Sequence, residues 1–374
     1  MEYKKIQLKE LIDYANTGAD AIQRAPIVEY DTGVRCIRIG DISNNRKYEE
    51  WGFTEISKEN YNKYKLDVGD ILIARTGSTI GICKIIKKEI NGVYNNGLIK
   101  VKVNKDKCDS NYFYYILQSK DFINYIQGIA FGTTGQPNMK INDFLKFEIN
   151  DISIEKQNKI ANILLKIDEK IDLNNQINDN LLKFGLGLIT EEMKKQSTKE
   201  LRNIIKFIKG KKPINISEIK KDKYLSYLTI ANLNNQENLY ASTENVIIAD
   251  NDLLMVMDGA SSGDVYYSDY GIVGSTLAKI DIIDTSYNQA SIYFILKYFS
   301  EYIKSKNTGS AIPHTDKEIV YKLVIPDIDN QKKYENILKN ILQLNKQNKI
   351  LEQLRDTLLP KLMNGEIDLD KIEI

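Results

Sequence analysis

Two kinds of hydrophobic pattern alternate along the chain. In the first, short runs rich in Ile and Val stand between Gly, Asn and Asp: VRCIRIGDI, GDILIAR, TIGICKII and LIKVKV. Runs of that length bounded by turn formers read as strands. They are followed by SNYFYYILQSKDFINYIQ, whose aromatic and aliphatic residues recur at helical spacing. A second such stretch ends in SYNQASIYFILKYFSEYIKS. Each of these segments predicts an α+β head.

The second pattern follows each head. From Ile154, apolar residues recur at Ile160, Ile163, Leu164, Ile167, Ile171, Leu173 or Asn174, Ile177 and Leu181. From Gln331 the series is Ile337, Leu338, Ile341, Leu344, Gln347 or Asn348, Leu351, Leu354 and Leu358. Neither stretch meets Gly or Pro before Gly185 or Pro360. Each predicts one helix of about 27–30 residues, roughly 40–45 Å long. A single apolar stripe on so long a helix needs a partner, and each supplies the other's. The expected fold is two α+β heads separated by two long antiparallel coiled-coil helices. The expected boundaries are 1–152 and 197–328 for the heads, and 153–196 and 329–374 for the helical regions.

The heads repeat one another. GDILIARTGSTIG, beginning at Gly69, aligns without gaps on NDLLMVMDGASSG, beginning at Asn251. Asp70 falls on Asp252, Gly77 on Gly259 and Gly81 on Gly263. CIRIGDI meets YLTIANL, GLIKV meets TLAKI, YYIL meets YFIL, Pro137 meets Pro313, and INDI meets IPDI, all in the same order. A collinear series of this kind marks a duplicated unit, with a period too long for a solenoid.

Composition narrows the chemistry. The 374 residues carry 52 Lys and Arg against 51 Asp and Glu, a formal charge of +1. That excludes a grip on nucleic acid by bulk charge. Three cysteines without C-x-x-C spacing and one histidine, His314, argue against a disulfide framework, a zinc site and a multi-histidine centre. No Walker A or G-x-S-x-G pattern occurs. No signal peptide or uninterrupted apolar span of about 18 residues stands out, so a cytoplasmic protein without a membrane span is expected.

With GDILIARTGS, the GQPNM loop and IEKQNKIANILLKIDEKI in this order, and LRDTLLPKLMNGEIDL closing the second copy, the chain resembles the specificity subunit of type I restriction-modification systems. The resemblance covers essentially the whole chain. It implies a non-catalytic subunit with two target recognition domains, each reading half of a bipartite, asymmetric site in double-stranded DNA. It implies docking of two methyltransferase subunits and of restriction subunits. S-adenosylmethionine, ATP and Mg would be bound by those partners, with no cofactor or metal in this chain. Heads held about 40 Å apart would meet the major groove about one turn apart, since a turn spans about 34–36 Å. The alternatives are a coiled-coil adaptor whose heads bind protein and a self-contained DNA-modifying enzyme.

Candidate DNA contacts follow from side-chain chemistry. Arg75 suits a guanine edge or a phosphate, and Thr76 and Ser78 suit phosphate; the alternative is a solvated turn. Gln136 and Asn138, in a polar loop with Thr133 and Thr134, have the amides that read adenine, or else they satisfy their own backbone. In the second head, Met257 stands for Arg75 and Ile312 for Gln136, so those contacts are particular to the first. Asp258 there is an acceptor for a cytosine amino group. Ser261, Ser262, Ser310 and His314 complete that loop pair, with His314 read as a loop residue rather than a catalyst. Arg46, Lys47, Lys209, Lys211 and Lys212 are the phosphate candidates, or simply solvated charge.

Overall fold

A computed structural model describes residues 4–20, 22–130, 138–196, 198–234, 236–309 and 312–369. The chain forms two compact units, Met1–Asp172 with Asn348–Ile374, and Leu173–Gln347. Each contains a head and part of each of two long helices.

In the first unit, strands Ile12–Thr17, Leu98–Val103, Ile71–Ala74 and Cys83–Ile85 form an antiparallel sheet in that order. A second sheet runs Ile27–Val28, Gly52–Thr54, Arg35–Ile37, Gly92–Tyr94, its last pair parallel. The second unit repeats both. Its strands Ile205–Lys209, Leu277–Ile282, Leu253–Val256 and Val265–Tyr267 form the first sheet. Ile216–Ser217, Tyr240–Ser242, Tyr224–Leu228 and Gly271–Val273 form the second, again with a parallel last pair, and Ile248–Ala249 is added at its edge.

In the first sheet of each unit, the strand that leads into the candidate loop is buried at all four positions. Ile71 and Ile73 join a core with Phe113, Phe122, Phe144 and the long-helix residues Ile160 and Leu164. Leu72 and Ala74 point the other way, into a core with Cys36, Ile37, Trp51 and Tyr94. Leu253 and Met255 divide from Leu254 and Val256 in the same manner. Side chains alternate across a strand, so a strand between two cores must be apolar at every position; this explains the unbroken ILIA and LLMV.

An ion pair stands at the start of each of these strands, buried in the first unit and half-buried in the second. Asp70 is wholly buried and lies 2.9 Å from Lys102 Nζ and 3.4 Å from Lys100 Nζ. Asp252 lies 3.1 Å from Lys279 Nζ. Burial pulls the Lys102 and Lys279 ammonium groups toward lower pKa, but their carboxylate partners outweigh it and leave both raised.

The long helices exceed the expected length. The first runs from Ile154 to Glu192, 39 residues, and the second from Lys332 to Met363, 32 residues. These correspond to about 58 and 48 Å. Gly185 does not stop the first helix, because it is where Phe294 packs against the bare backbone: a Cβ there would sit 2.2 Å from the ring. Pro360 lies inside the last turns of the second.

A glutamine in the first turn of one long helix and just before the other ties each to its head. Gln157 Oε1 accepts from the backbone N–H of Asp109, at 3.1 Å, and Gln331 Oε1 from that of Asn288, at 2.7 Å. Asp109 and Asn288 cap the helices Ser110–Gln118 and Gln289–Tyr298. Within each unit the long helices pair antiparallel. Ile160, Leu164, Ile167 and Ile171 are buried in the first, with Ile163 and Leu358 packed beside them and Leu359 and Leu362 completing the seam. Ile337, Leu338 and Ile341 are buried in the second, with Leu181 against them. Leu344 and Leu351 are half-buried.

Two expected seam positions are corrected. Ile177 and Leu354 are exposed. A straight helix drifts from a strict seven-residue repeat, and the polar neighbours of these residues turn inward instead. Asn174 is 0% exposed against 49% for Leu173, and its amide donates to Gln347 Oε1 at 3.0 Å. Asn348, 174 residues on, is also buried. Asn178 donates to Asn345 at 2.7 Å. Beside Leu354, Arg355 bonds Asp168 Oδ1 at 3.0 Å, and Asp168 Oδ2 accepts from the Tyr115 hydroxyl at 2.7 Å. At the offsets of the repeat, those three positions in the second unit are Leu181, Leu342 and Phe294, all packed in its apolar core.

Gly18 and Gly210 end matching strands where another backbone passes. A Cβ would lie 2.2 Å from Asn95 O in one case and 2.2 Å from Gly274 O in the other. Gly210→Ala is expected to destabilise by about 2–3 kcal/mol through overpacking. Gly187→Ala, on the open face of the first long helix, is expected to stabilise by up to about 1 kcal/mol. Urea denaturation of the two variants checks both signs.

Candidate nucleic-acid interface

The doubly buried strands deliver the candidate loops. After Ala74 the chain runs through Arg75, Thr76, Gly77 and Ser78 and returns at Gly81, whose N–H bonds Ala74 O at 2.9 Å. After Val256 it runs through Met257, Asp258 and Gly259 and returns at Gly263, which bonds Val256 O at 2.9 Å. Gly77 and Gly259 take φ of 81° and 108°, a region that side chains resist. The two loops share one backbone shape with different side chains.

A second loop lies against each. Thr76 bridges Asn138, and Asp258 bridges His314. Met139 N–H bonds Arg75 O at 2.8 Å, and Thr315 N–H bonds Met257 O at 2.8 Å. The alignment of Pro137 with Pro313 therefore places Asn138 and His314 at equivalent points.

The side chains at these points pair differently. Arg75 Nε and Nη2 lie 3.3 and 3.2 Å from Asn138 Oδ1. Asp258 Oδ1 lies 2.7 Å from His314 Nδ1, and Asp258 Oδ2 lies 3.3 Å from Lys209 Nζ. Desolvation pushes the Asp258 carboxyl up, but the hydrogen bond from His314 and the charge of Lys209 outweigh it and hold its pKa below the ordinary value.

The remaining candidates differ in their surroundings. Ser78 and Lys212 are exposed, and Thr76 and Ser261 are half-buried. Arg46 and Lys211 are already engaged: Arg46 bonds the buried Asp41 at 3.1 Å, and Lys211 bonds Asn245 Oδ1 at 3.1 Å. Lys47 leads a short turn, its backbone N–H bonding Glu50 at 2.7 Å. Ser262 is not at the surface. It is buried, with its hydroxyl 2.7 and 2.8 Å from the carbonyl oxygens of Gly259 and Pro313, so its one hydrogen fastens the two loops together. Thr133, Thr134, Gln136 and Ser310 lie outside the described residues. Lys209, a phosphate candidate by sequence, pairs with Asp258, and this ion pair has no local signal, since 49 residues separate the two.

Among the described residues, no group of three or more His, Cys, Asp or Glu is placed to hold a metal ion. No helix among them is long and apolar enough to cross a membrane.

Comparison with known proteins follows the same duplication. The family model described as the type I restriction modification DNA specificity domain matches residues 1–183 and again 193–356. The type I restriction enzyme MjaVIII specificity subunit of Methanocaldococcus jannaschii is 28% identical over 169 residues, 43% of this chain and 40% of that protein. The putative type I restriction enzyme MjaX specificity subunit of the same organism is 24% identical over 399 aligned positions, covering 96% of this chain and 92% of that one. The S subunit of a type I restriction-modification system from M. genitalium superposes with a TM-score of 0.55 at 19% identity, over 97% of this chain and 96% of its own. That likeness is one of fold.

The Asp258 pair carries a pH prediction. A carboxylate whose folded pKa is lowered contributes stability above its unfolded value, about 3.9, and loses it as pH falls through the folded value. Asp258→Asn is expected to cost under about 1 kcal/mol at neutral pH, since His314 and Lys209 are substantially exposed. The deficit should begin to shrink as pH falls below about 4 and vanish once pH is under the lowered folded value, as read by thermal denaturation of both proteins across that range.

Proposed function

The chain belongs to the type I restriction-modification DNA specificity family, and from that premise we propose that it reads a bipartite DNA target on behalf of catalytic partners. The observation that carries this reading is the duplicated loop pair, which sets Arg75 with Asn138 in one unit and Asp258 with His314 in the other on the same backbone frame. One frame with two sets of polar side chains suits two half-sites of different sequence. Residues 1–152 and 197–328 act as the target recognition domains, and 153–196 and 329–374 as the spacers that fix the distance between half-sites. Arg75, Thr76, Ser78, Asn138, Asp258, Ser261 and His314 face base edges and phosphates. Arg46, Lys47, Lys209, Lys211 and Lys212 serve the phosphate backbone. Formal charge of only +1 leaves much of the electrostatic grip to the partners.

Those partners are two methyltransferase subunits using S-adenosylmethionine, joined for cleavage by restriction subunits using ATP and Mg, in the cytoplasm. The apolar seam of the paired helices is spent on itself, so docking falls to outward residues. Leu173, Ile177 and Phe184 are exposed and share one face at helical spacing.

The test is a methylome. The chain is co-expressed with its cognate methyltransferase subunit in a host without DNA methylation, and modified bases are mapped by long-read sequencing. The expected result is a two-part motif that disappears when this chain is omitted. No methylation from a stable complex would favour an adaptor instead. Phe184→Asp is expected to weaken methyltransferase capture at least tenfold in a pull-down while leaving the chain folded, since it alters an exposed position.

A further inference from the structure

Asn138 and His314 are both exposed, and each is oriented by one side chain of the facing loop. The orienting groups have opposite character. Arginine has only donors. With Arg75 Nε and Nη2 on Asn138 Oδ1, the amide oxygen is engaged and the Asn138 Nδ2 amino group is the atom turned away. Ionised aspartate has only acceptors. With Asp258 Oδ1 on His314 Nδ1, the ring hydrogen is held at Nδ1. The neutral imidazole then carries a lone pair at Nε2, on the opposite edge of the ring. Lys209 supports the arrangement, because its ammonium group lies against the other carboxylate oxygen of Asp258. Around Asn138, Arg75 adds further donors; at the matching place in the second unit stands Met257, which adds none.

We infer that the two loop pairs read bases by opposite hydrogen-bond polarity. Asn138, oriented by Arg75, offers a donor to a base edge rich in acceptors, with guanine O6 and N7 the best match. His314, oriented by Asp258, offers an acceptor to the exocyclic amino group of adenine or cytosine. The major groove distinguishes base pairs by this donor and acceptor pattern. The inference rests on the DNA-reading function proposed above and adds which chemical class of base each loop pair takes. Arg75 and Asp258 act as positioning residues, holding the reading atom in one orientation.

The experiment uses the full chain with its methyltransferase subunit and the same methylome readout. Asn138→Asp replaces a donor by an acceptor of nearly equal size. It is expected to move the preferred base at one position of one half-site from an acceptor-rich base to an amino-bearing one, leaving the other half-site unchanged. Asp258→Ala releases the imidazole. It is expected to relax discrimination roughly tenfold at one position of the other half-site, with the remaining positions intact. A wild-type motif that stays bipartite while both variants keep every base preference overturns the inference but leaves the DNA-reading function standing. Uniform loss of methylation at all positions in both variants also overturns it, since that outcome assigns the pairs to loop folding. Absence of any bipartite motif in the wild type defeats the function itself.

Discussion

The position of each candidate loop depends on a four-residue strand with no free face. Ile71–Ala74 and Leu253–Val256 are buried on both sides, each feeding two cores. A register slip of one residue would exchange the two sets of side chains between cores of different shape. The carboxylate at the strand's beginning, Asp70 (wholly buried) or Asp252 (half-buried), adds a second constraint, because it must meet lysine on the neighbouring strand. Breaking such a pair leaves an uncompensated charge in the interior. The loop that follows therefore leaves from a fixed point in a fixed direction. Loops built on such a frame tolerate substitution without moving, as Arg75 against Met257 and Thr76 against Asp258 illustrate.

Much of this was legible in the sequence because duplication doubles every signal. The match of GDILIARTG with NDLLMVMDG marks both strands and both loops and sets Asp70 against Asp252, though not their ion pairs. The family resemblance is confirmed by a model that matches the chain twice. The glycines Gly18 and Gly210 escaped notice, since their role lies in the close approach of a backbone more than 60 residues away.

The helices show where pattern reading stops. Periodicity finds the stripe but not its drift: of the alternatives Leu173 and Asn174 it is Asn174 that turns inward, and beside Ile177 it is Asn178 that meets the partner helix. Apolar character is a weaker guide than geometry where a polar residue has a partner waiting. Gly185 read as an end for a similar reason. A glycine inside a helix costs about 1 kcal/mol, but here it makes room for Phe294. In the loops, sequence named Arg75, Asn138, Asp258 and His314 individually. Their pairing depends on contacts 56 to 63 residues apart, which no local pattern contains.

The Tyr115–Asp168–Arg355 cluster and its apolar counterpart Phe294, Leu342 and Leu181 bear on how the two halves have diverged. The copies arose alike but are no longer interchangeable. At the same helix offset Leu359 falls on Gly185 and Arg355 on Leu181, so two first copies placed together would set Asp168 opposite Leu181 and leave a cavity at Gly185. Two second copies would set Arg355 against leucine and press Leu359 into the ring of Phe294. Tyr115 belongs to the head, whereas Asp168 belongs to the helix. A foreign first head grafted onto this chain therefore inherits an obligation unrelated to DNA: it must bring a hydroxyl to the place of Tyr115, or Asp168 loses one of its two partners.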